Sequence, residues 1–180
     1  MRWGYARRHF GEFLRGVLRG HPGVRIARGV KLNGPGTYDL RPGSYIAEGA
    51  RLWVGPGATL TLDRNCKIGI RNIINVQTGV TIREGTRMSW DVQVLDTDFH
   101  WVRSARGRIL PVTLPITIGP KVLVGTGAMI LKGVLVGEGS VVSARAVVRV
   151  DVAPGSVVVG NPAKAVGTVS EWGAPPRPEK

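Results

Sequence analysis

Several residue types are scarce in this chain of 180 residues, and each scarcity excludes a class of protein. One cysteine, Cys66, cannot form an internal disulfide, so we expect a reducing, cytoplasmic setting. No apolar run approaches the ~20 residues of a membrane span, and the N-terminus lacks the apolar core of a signal peptide. Only three histidines are present, which leaves little material for a histidine-rich metal site.

Acidic residues are also few, with 12 Asp and Glu against 25 Lys and Arg and a net charge of +13. Such an excess predicts an anionic partner, which could be nucleic acid, a membrane surface or a phosphorylated small molecule. The excess is uneven, because residues 1–31 carry eight Lys or Arg and a single acid, Glu12. The first segment therefore contributes a large part of the positive charge.

Glycine, in contrast, is abundant: 26 residues are about twice what an average usage of ~7% would give. The glycines accompany an aliphatic residue that recurs every six positions. One column of this repeat contains Ile118, Val124, Ile130, Val136, Val142 and Val148, and a second contains Ile70, Val76, Ile82, Met88 and Val94. Four positions after each member the residue is small or β-branched, with few exceptions.

A period of six fits neither an α-helix nor a long alternating strand. It fits short strands joined by turns, in which each strand turns one large and one small side chain inward. Stacking such turns buries a continuous core. The repeat therefore predicts an all-β, parallel β-helix.

Residues 26–167 resemble the hexapeptide-repeat, left-handed parallel β-helix acyltransferases. The resemblance is strongest in residues 114–164, LPITIGPKVLVGTGAMILKGVLVGEGSVVSARAVVRVDVAPGSVVVGNPAK. It is closest to the sugar and polysaccharide O-acetyltransferases, such as the galactoside and maltose enzymes. The resemblance implies a triangular prism, a homotrimer with active sites between subunits, and an acyl-CoA donor. We expect the donor to be acetyl-CoA and no metal to be required.

The chain divides into three segments. Residues 1–25 form a basic amphipathic segment, in which an apolar set at helical spacing predicts a short helix: Phe10, Phe13, Leu14, Val17 and Leu18. This helix could cap the open end of the coil or contact anionic membrane on the inner face. The coil occupies residues 26–167 with an extruded loop at about 97–115, and residues 168–180 are expected to be a flexible tail.

His100 lies near the start of that loop, in VLDTDFHWV. A neutral imidazole can accept the proton of a hydroxyl nucleophile, and the resemblance places the family's catalytic histidine at this position. A carboxylate could orient the imidazole, for which Asp98 is the first choice and Asp96 the second. On an extended segment all three side chains would share a face.

Substrate contacts are expected close to the loop. The resemblance places a substrate-positioning asparagine near Asn75, with Asn72 competing for the role, although asparagine also favours tight turns. Trp90, Asp91 and Trp101 offer aromatic faces and a carboxylate suited to a sugar ring.

For the donor, the resemblance implies backbone contacts of coenzyme A with Gly125, Thr126, Ser143 and Ala144, and a phosphate contact with Lys164 in GNPAK. Small residues also suit every turn of a β-helix, so these glycines and alanines have a structural interpretation as well. Leu123 stands where the family commonly has tryptophan.

The leading hypothesis is an acetyl-CoA-dependent O-acetyltransferase that modifies a saccharide, for example in polysaccharide biosynthesis. N-acetylation of a nucleotide-linked amino sugar, or of serine, is the alternative within the same class. A zinc carbonic anhydrase on the same coil would need converging histidines, but His9 and His21 precede the repeats. A non-enzymatic scaffold or nucleic-acid binder agrees with the charge, but no nucleic-acid-binding module is recognisable, so nucleic acid is not an expected partner.

Overall fold

A computed structural model describes the backbone of residues 2–173 and the side chains of residues 9–173. One helix, α1 (Arg2–Leu18), precedes a long succession of short strands. The strands are β1 (Arg25–Ile26), β2 (Lys31–Asn33), β3 (Thr37–Leu40), β4 (Tyr45–Ile46), β5 (Arg51–Val54), β6 (Thr59–Leu62), β7 (Lys67–Ile68), β8 (Ile73–Val76), β9 (Gly79–Ile82), β10 (Arg87–Met88), β11 (Gln93–Leu95), β12 (Ile116–Ile118), β13 (Leu123–Val124), β14 (Met129–Leu131), β15 (Leu135–Val136), β16 (Val141–Val142), β17 (Val147–Val148), β18 (Ser156–Val159) and β19 (Lys164–Thr168).

The strands form three parallel sheets that enclose the core. Sheet A has the order β1-β4-β7-β10-β13-β16-β18-β19, sheet B the order β17-β14-β11-β8-β5-β2, and sheet C the order β15-β12-β9-β6-β3. From β1 to β17 every third strand therefore pairs in register, as Tyr45 does with Lys67 and then Lys67 with Arg87, whereas β18 pairs with β16. The result is a left-handed β-helix of about 7 turns, which confirms the predicted fold. Only β19 pairs antiparallel among these strands.

The predicted aliphatic columns form the core, with one correction. All six members of the column from Ile118 to Val148 are buried, as are Val76, Ile82, Met88 and Val94. Ile70 is 37% exposed and lies on a corner; Ile68 and Ile74 occupy the interior instead. The column begun at Ile70 is therefore wrong at its first member.

Strand length explains this shift. The strand Ile73–Val76 has four residues and buries Ile74 as well as Val76, so the phase of the repeat moves by two positions there. Early coils are correspondingly longer: Tyr45 pairs with Lys67 after 22 residues, whereas Leu123 pairs with Val141 after 18. A strict period of six describes only the later coils.

The corners between sheets A and B require left-handed backbone at each turn. The residue there has a φ of 71° in Gly49, 56° in Arg71, 57° in Asp91, 67° in Gly127 and 59° in Arg145. Glycine adopts this conformation without a steric penalty, which accounts for part of the glycine excess. Two arginines and an aspartate adopt it here at some conformational cost.

Helix α1 packs against β1 at the N-terminal end of the coil. Gly16 permits the contact, because a Cβ there would lie 2.0 Å from the carbonyl oxygen of Val24. Arg15 Nε donates to the carbonyl of Ile26 at 2.8 Å, and Glu12 is buried between the helix and the coil. The helix thus covers the end of the coil with a polar face. In the described part of the chain, no helix combines the length and apolar character needed to cross a membrane.

At the other end, the predicted boundary between coil and tail falls inside β19. Residues 168–173 run back along the coil, where Trp172 Nε1 donates to the carbonyl of Lys121 at 2.6 Å. The remainder of the predicted flexible tail, residues 174–180, lies outside the described residues.

Candidate functional site

The coil is interrupted between β11 and β12, at the corner of sheets B and C. Residues 96–115 leave this corner as a hairpin-like arm, closed by the antiparallel bridges Thr97↔Thr113 and Arg103↔Ile109. This is the position of the predicted loop. An arm held by backbone bridges can present its side chains in a defined geometry.

Asp96 anchors the arm to the preceding coil. Its carboxylate is fully buried and accepts backbone N–H groups from Gln77 at 2.7 Å, Thr78 at 2.7 Å and Gly79 at 2.9 Å. Both carboxylate oxygens therefore accept hydrogen bonds from the backbone of the preceding coil. The prediction that Asp96 orients His100 is wrong. The alternation of an extended strand fails here because the chain leaves the sheet after Leu95, and Phe99 has a φ of 60°.

Asp98 anchors the arm to the following coil. Its Oδ2 pairs with Lys132 Nζ, and the same ammonium donates to the carbonyl of Pro111 on the returning side of the arm. Oδ1 makes no hydrogen bond within residues 9–173. The role of Asp98 beside His100 stays a prediction, since in this arrangement its partner is Lys132.

His100 lies on the outer part of the arm with its side chain exposed. Phe99 and Trp101 flank it and are exposed too, and the Arg103 guanidinium stacks 5.8 Å from the Trp101 ring centroid. Within the described residues the imidazole makes no hydrogen bond. His100 is therefore available to a ligand or a neighbouring subunit, and no carboxylate of residues 9–173 is paired with it.

The two candidate asparagines differ in position. Asn72 is buried, and its Oδ1 accepts the N–H of Val92 at 2.9 Å, so it belongs to the interior of the coil and cannot contact substrate. Ser44, Thr86 and Ser140 make the same kind of inward bond to the next coil. Asn75 points outward on β8, half-buried, between Trp53 and Leu95 in the sheet register.

Trp90 and Asp91 lie at the corner of sheets A and B, apart from the arm. Asp91 accepts two hydrogen bonds from Arg71, at 2.8 and 2.7 Å, and these bonds hold the pKa of its carboxyl below the ordinary value. Asp91 is thus held in an ion pair. Trp90 is 56% exposed and remains available for stacking.

The predicted donor residues are brought together at the same corner, one coil above Trp90. A Cβ on Gly125 would lie 2.5 Å from the backbone nitrogen of Ala144, so only glycine fits under this turn. Thr126 Oγ1 hydrogen-bonds to Ser89 Oγ at 2.8 Å, and Ser143 stands above Gly125 in the next coil. Small side chains at these turns leave the backbone of the corner accessible from outside, with Ala144 exposed and the other three residues partly exposed. We call Gly125, Thr126, Ser143 and Ala144 the donor corner.

Lys164 and Leu123 complete the donor side. Lys164 is exposed on β19, at the C-terminal edge of sheet A. Leu123 is half-buried on β13, directly beside Arg87 of β10 in the register.

His100 and the donor corner occupy different edges of the prism. The arm leaves where sheet B meets sheet C, whereas Gly125 lies between β13 of sheet A and β14 of sheet B. Within one chain, sheet B therefore separates the root of the arm that carries His100 from the donor corner.

Sequence reasoning missed a basic groove on sheet A. A cavity of about 420 Å³ is lined by Lys67, Arg87, Trp90 and Tyr45, beside the glycine at position 69. Correct placement of the repeat phase could have found it, because Lys67 and Arg87 occupy the same outward position in successive coils.

Metal-ligating side chains do not cluster in the described residues: no group of three His, Cys, Asp or Glu side chains is placed to hold an ion. His9 belongs to α1 and His21 follows it, both at the N-terminal end of the coil, whereas His100 is on the arm.

No family model matches the chain. Among curated proteins, a Schizosaccharomyces pombe protein provisionally named as an acetyltransferase is 37% identical over 87 residues, which are 48% of this chain and 42% of that protein. A 2,3,4,5-tetrahydropyridine-2,6-dicarboxylate N-acetyltransferase of Staphylococcus aureus is 48% identical over 61 residues, 34% of this chain and 26% of the enzyme. The chain thus spans less than half the length of these relatives.

Solved structures match over most of the chain. The polySia-specific acetyltransferase NeuO has a TM-score of 0.68 at 21% identity, covering 88% of this chain and 77% of its own. AntD, an N-acyltransferase from Bacillus cereus in complex with dTDP and 3-hydroxybutyryl-CoA, has a TM-score of 0.67 at 15% identity, covering 82% and 81%. These likenesses show the fold, and together with the sequence relatives they confirm the resemblance to β-helix acyltransferases.

Proposed function

We propose that this protein is an acyl-CoA-dependent acyltransferase that acetylates a saccharide hydroxyl. The observation that carries the proposal is the arm at residues 96–115, which presents an exposed histidine at one corner of the coil. The sequence relatives named as acetyltransferases support the reaction class.

In the proposed reaction His100 acts as general base. The imidazole accepts the proton of the acceptor hydroxyl as its oxygen attacks the thioester carbonyl of the donor. The tetrahedral intermediate then collapses, the carbon–sulfur bond breaks, and the imidazolium returns the proton to the leaving thiolate. The backbone N–H groups of Thr126 and Ala144, which have no acceptor among the described residues, would be available to stabilise the developing oxyanion.

The donor is proposed to lie along the donor corner. Its pantetheine arm would contact the turns at Gly125, Thr126, Ser143 and Ala144, where small residues allow close backbone approach. Lys164, at the upper edge of sheet A, would provide a point charge for its phosphates. AntD, which was solved with 3-hydroxybutyryl-CoA, shows that a protein of this fold can hold an acyl-CoA, and also that the acyl group need not be acetyl.

A homotrimer would complete the site. A three-fold axis parallel to the coil keeps each residue at its own height, so His100 of one subunit can face the A/B corner of the next. This arrangement accounts for the separation of the two groups within one chain. Asn75, Trp90 and Trp101 would then contact the acceptor, with Asp98 near the base.

N-acylation is the second candidate. It is favoured by the names of AntD and of the Staphylococcus aureus relative, both N-acyl transferring enzymes. An amine acceptor also needs a base, so His100 would serve either reaction. A thiol-release assay with acetyl-CoA across hydroxyl sugars, nucleotide-linked amino sugars and serine distinguishes the two; release with none of these acceptors would contradict both proposals.

We also propose that α1 attaches the enzyme to the inner face of a membrane. The helix docks with its polar face and leaves its apolar side chains outward, with Phe10 71% and Leu18 76% exposed. Its one acid, Glu12, is buried against the coil, whereas residues 1–31 carry eight Lys or Arg. A basic helix with an outward apolar face suits an anionic lipid surface.

A further inference from the structure

The groove on sheet A contains two cations without a counter-charge. Lys67 of β7 and Arg87 of β10 are partners in the sheet register and point outward together, so their Cα atoms are about 4.8 Å apart. Within residues 9–173 neither side chain has an acid at ion-pair distance. Like charges opposite each other on adjacent strands are destabilising. Arg87 also lines a second cavity with Glu138, but the two side chains do not form an ion pair.

The other cations and aromatics of the sheet behave differently. Arg25, in the same outward row, stacks 4.6 Å over the Tyr45 ring and lies 3.7 Å from the Glu12 carboxylate. One face of Tyr45 is therefore already covered. Trp90, on the opposite side of the groove, is exposed and has no ring partner among the described residues. The groove thus combines two free cations with one free aromatic ring.

The size and floor of the groove suit a small polar ligand. Its volume of about 420 Å³ is in the range of small-molecule sites. Gly69 forms part of the floor, since a Cβ there would lie 1.9 Å from the carbonyl oxygen of Ser89. Ile70, which is partly exposed, adds apolar contact beside the cations.

From these contacts we propose that the groove binds the acidic group of an anionic saccharide, with Lys67 and Arg87 on the negative group and Trp90 against the sugar ring. The inference rests on the proposed acyltransferase function, because it assigns the groove to the acceptor. It selects acidic saccharides over neutral ones as the substrate class.

The position of the groove along the coil axis favours the acceptor as its occupant over the phosphate-bearing end of the donor. Arg87 belongs to the coil from which the arm leaves, since β10 is followed by β11 and then by the arm. Lys67 belongs to the coil immediately below it. Lys164 lies five strands above Lys67 in sheet A, a separation of about 24 Å. A donor with its phosphates near Lys164 would place its reactive end towards the groove and its charges away from it.

Binding measurements on the full chain test the proposal. Oligomers of galacturonic acid and of sialic acid are titrated, each beside its methyl ester, which has the same length without the charge. We expect the acids to bind and the esters to bind at least tenfold more weakly. Lys67→Gln combined with Arg87→Gln should abolish this preference, and added salt should weaken binding of the acids. Arg149→Gln, which removes an exposed charge on another part of the coil, should bind as the wild type does.

The saccharide titrations would overturn the inference in three cases: equal binding of acids and esters, absence of binding to any of the oligomers, or an equal loss in the Arg149→Gln control. Coenzyme A binding is measured in the same variants. If the double variant loses coenzyme A instead of saccharide, the groove holds the donor phosphates and the inference is wrong. If the wild type binds acidic saccharide but neither binds coenzyme A nor transfers an acyl group, the proposed function fails, whereas binding of an acidic saccharide in the groove stands.

Discussion

Replacing Asp96 by alanine should destabilise the protein although Asp96 lies next to the proposed catalytic arm. The carboxylate accepts three backbone N–H groups at 2.7–2.9 Å. A hydrogen bond to a charged group contributes about 1.5–3 kcal/mol, but the three share one carboxylate and water can reach part of the turn. We therefore expect a loss of about 3–5 kcal/mol in the free energy of unfolding.

Urea denaturation followed by tryptophan fluorescence measures this loss. Asp98→Asn is the matched control, because its carboxylate is exposed and has one ion pair, with Lys132, so its removal should cost less than about 1 kcal/mol. Asp96→Ala should also lower acyl transfer, since the arm that presents His100 loses its lower anchor. A stability loss below about 1 kcal/mol for Asp96→Ala would refute the anchoring role.

Three further predictions concern the core, the donor corner and the helix. Burial raises the pKa of Cys66 from 9.0 to about 12, so the thiol should resist labelling in the native protein. The free energy of unfolding should fall as pH rises from 9 towards 12, because the thiol ionises first in the unfolded chain. Cys66→Ala should show a smaller fall over the same pH range. Gly125→Ala would place a Cβ 2.5 Å from the Ala144 nitrogen, so this variant should lose about 1–3 kcal/mol in its free energy of unfolding and bind coenzyme A more weakly. Gly167→Ala, where a Cβ meets open space, should change neither quantity. The double variant Phe10→Gln, Leu18→Gln should bind phosphatidylserine vesicles more weakly in a sedimentation assay, by roughly tenfold in affinity per residue, whereas the control Val150→Gln should bind as the wild type does. Equal binding by the wild type, the double variant and the control would refute membrane attachment.

The fold was predictable because it follows from a repeated local pattern. A large aliphatic residue every six positions specifies short strands that each point one such side chain into the core, and every coil repeats this pattern. The error at Ile70 arose where a four-residue strand, Ile73–Val76, shifts the phase by two positions. Such a shift depends on how two adjacent coils align, which a single column of residues does not reveal.

The location of the arm was predictable, whereas the contacts of its side chains were not. The break in the repeat locates the arm and His100. The partners of Asp96 and Asp98 lie on the coils below and above, at Gln77 and Lys132, and therefore depend on three-dimensional stacking. The same stacking buries Asn72 and leaves Asn75 outward, although both are asparagines three residues apart.

The basic groove was overlooked for a related reason. Lys67 and Arg87 are 20 residues apart and lie among many other basic residues in the sequence. Only the register of β7 with β10 shows that they stand side by side without an acid. Net charge alone could not distinguish this pair from the cations near the N-terminus.

The central claim, that His100 is the general base of an acyl transfer, is tested most directly by acetyl-CoA thiol release in the presence of a saccharide acceptor. His100→Ala should retain the stability and coenzyme A affinity of the wild type, because the imidazole is exposed and makes no hydrogen bond among residues 9–173. Its turnover should fall by about 10²–10⁴-fold. Turnover of His100→Ala within a few-fold of the wild-type rate would contradict the account.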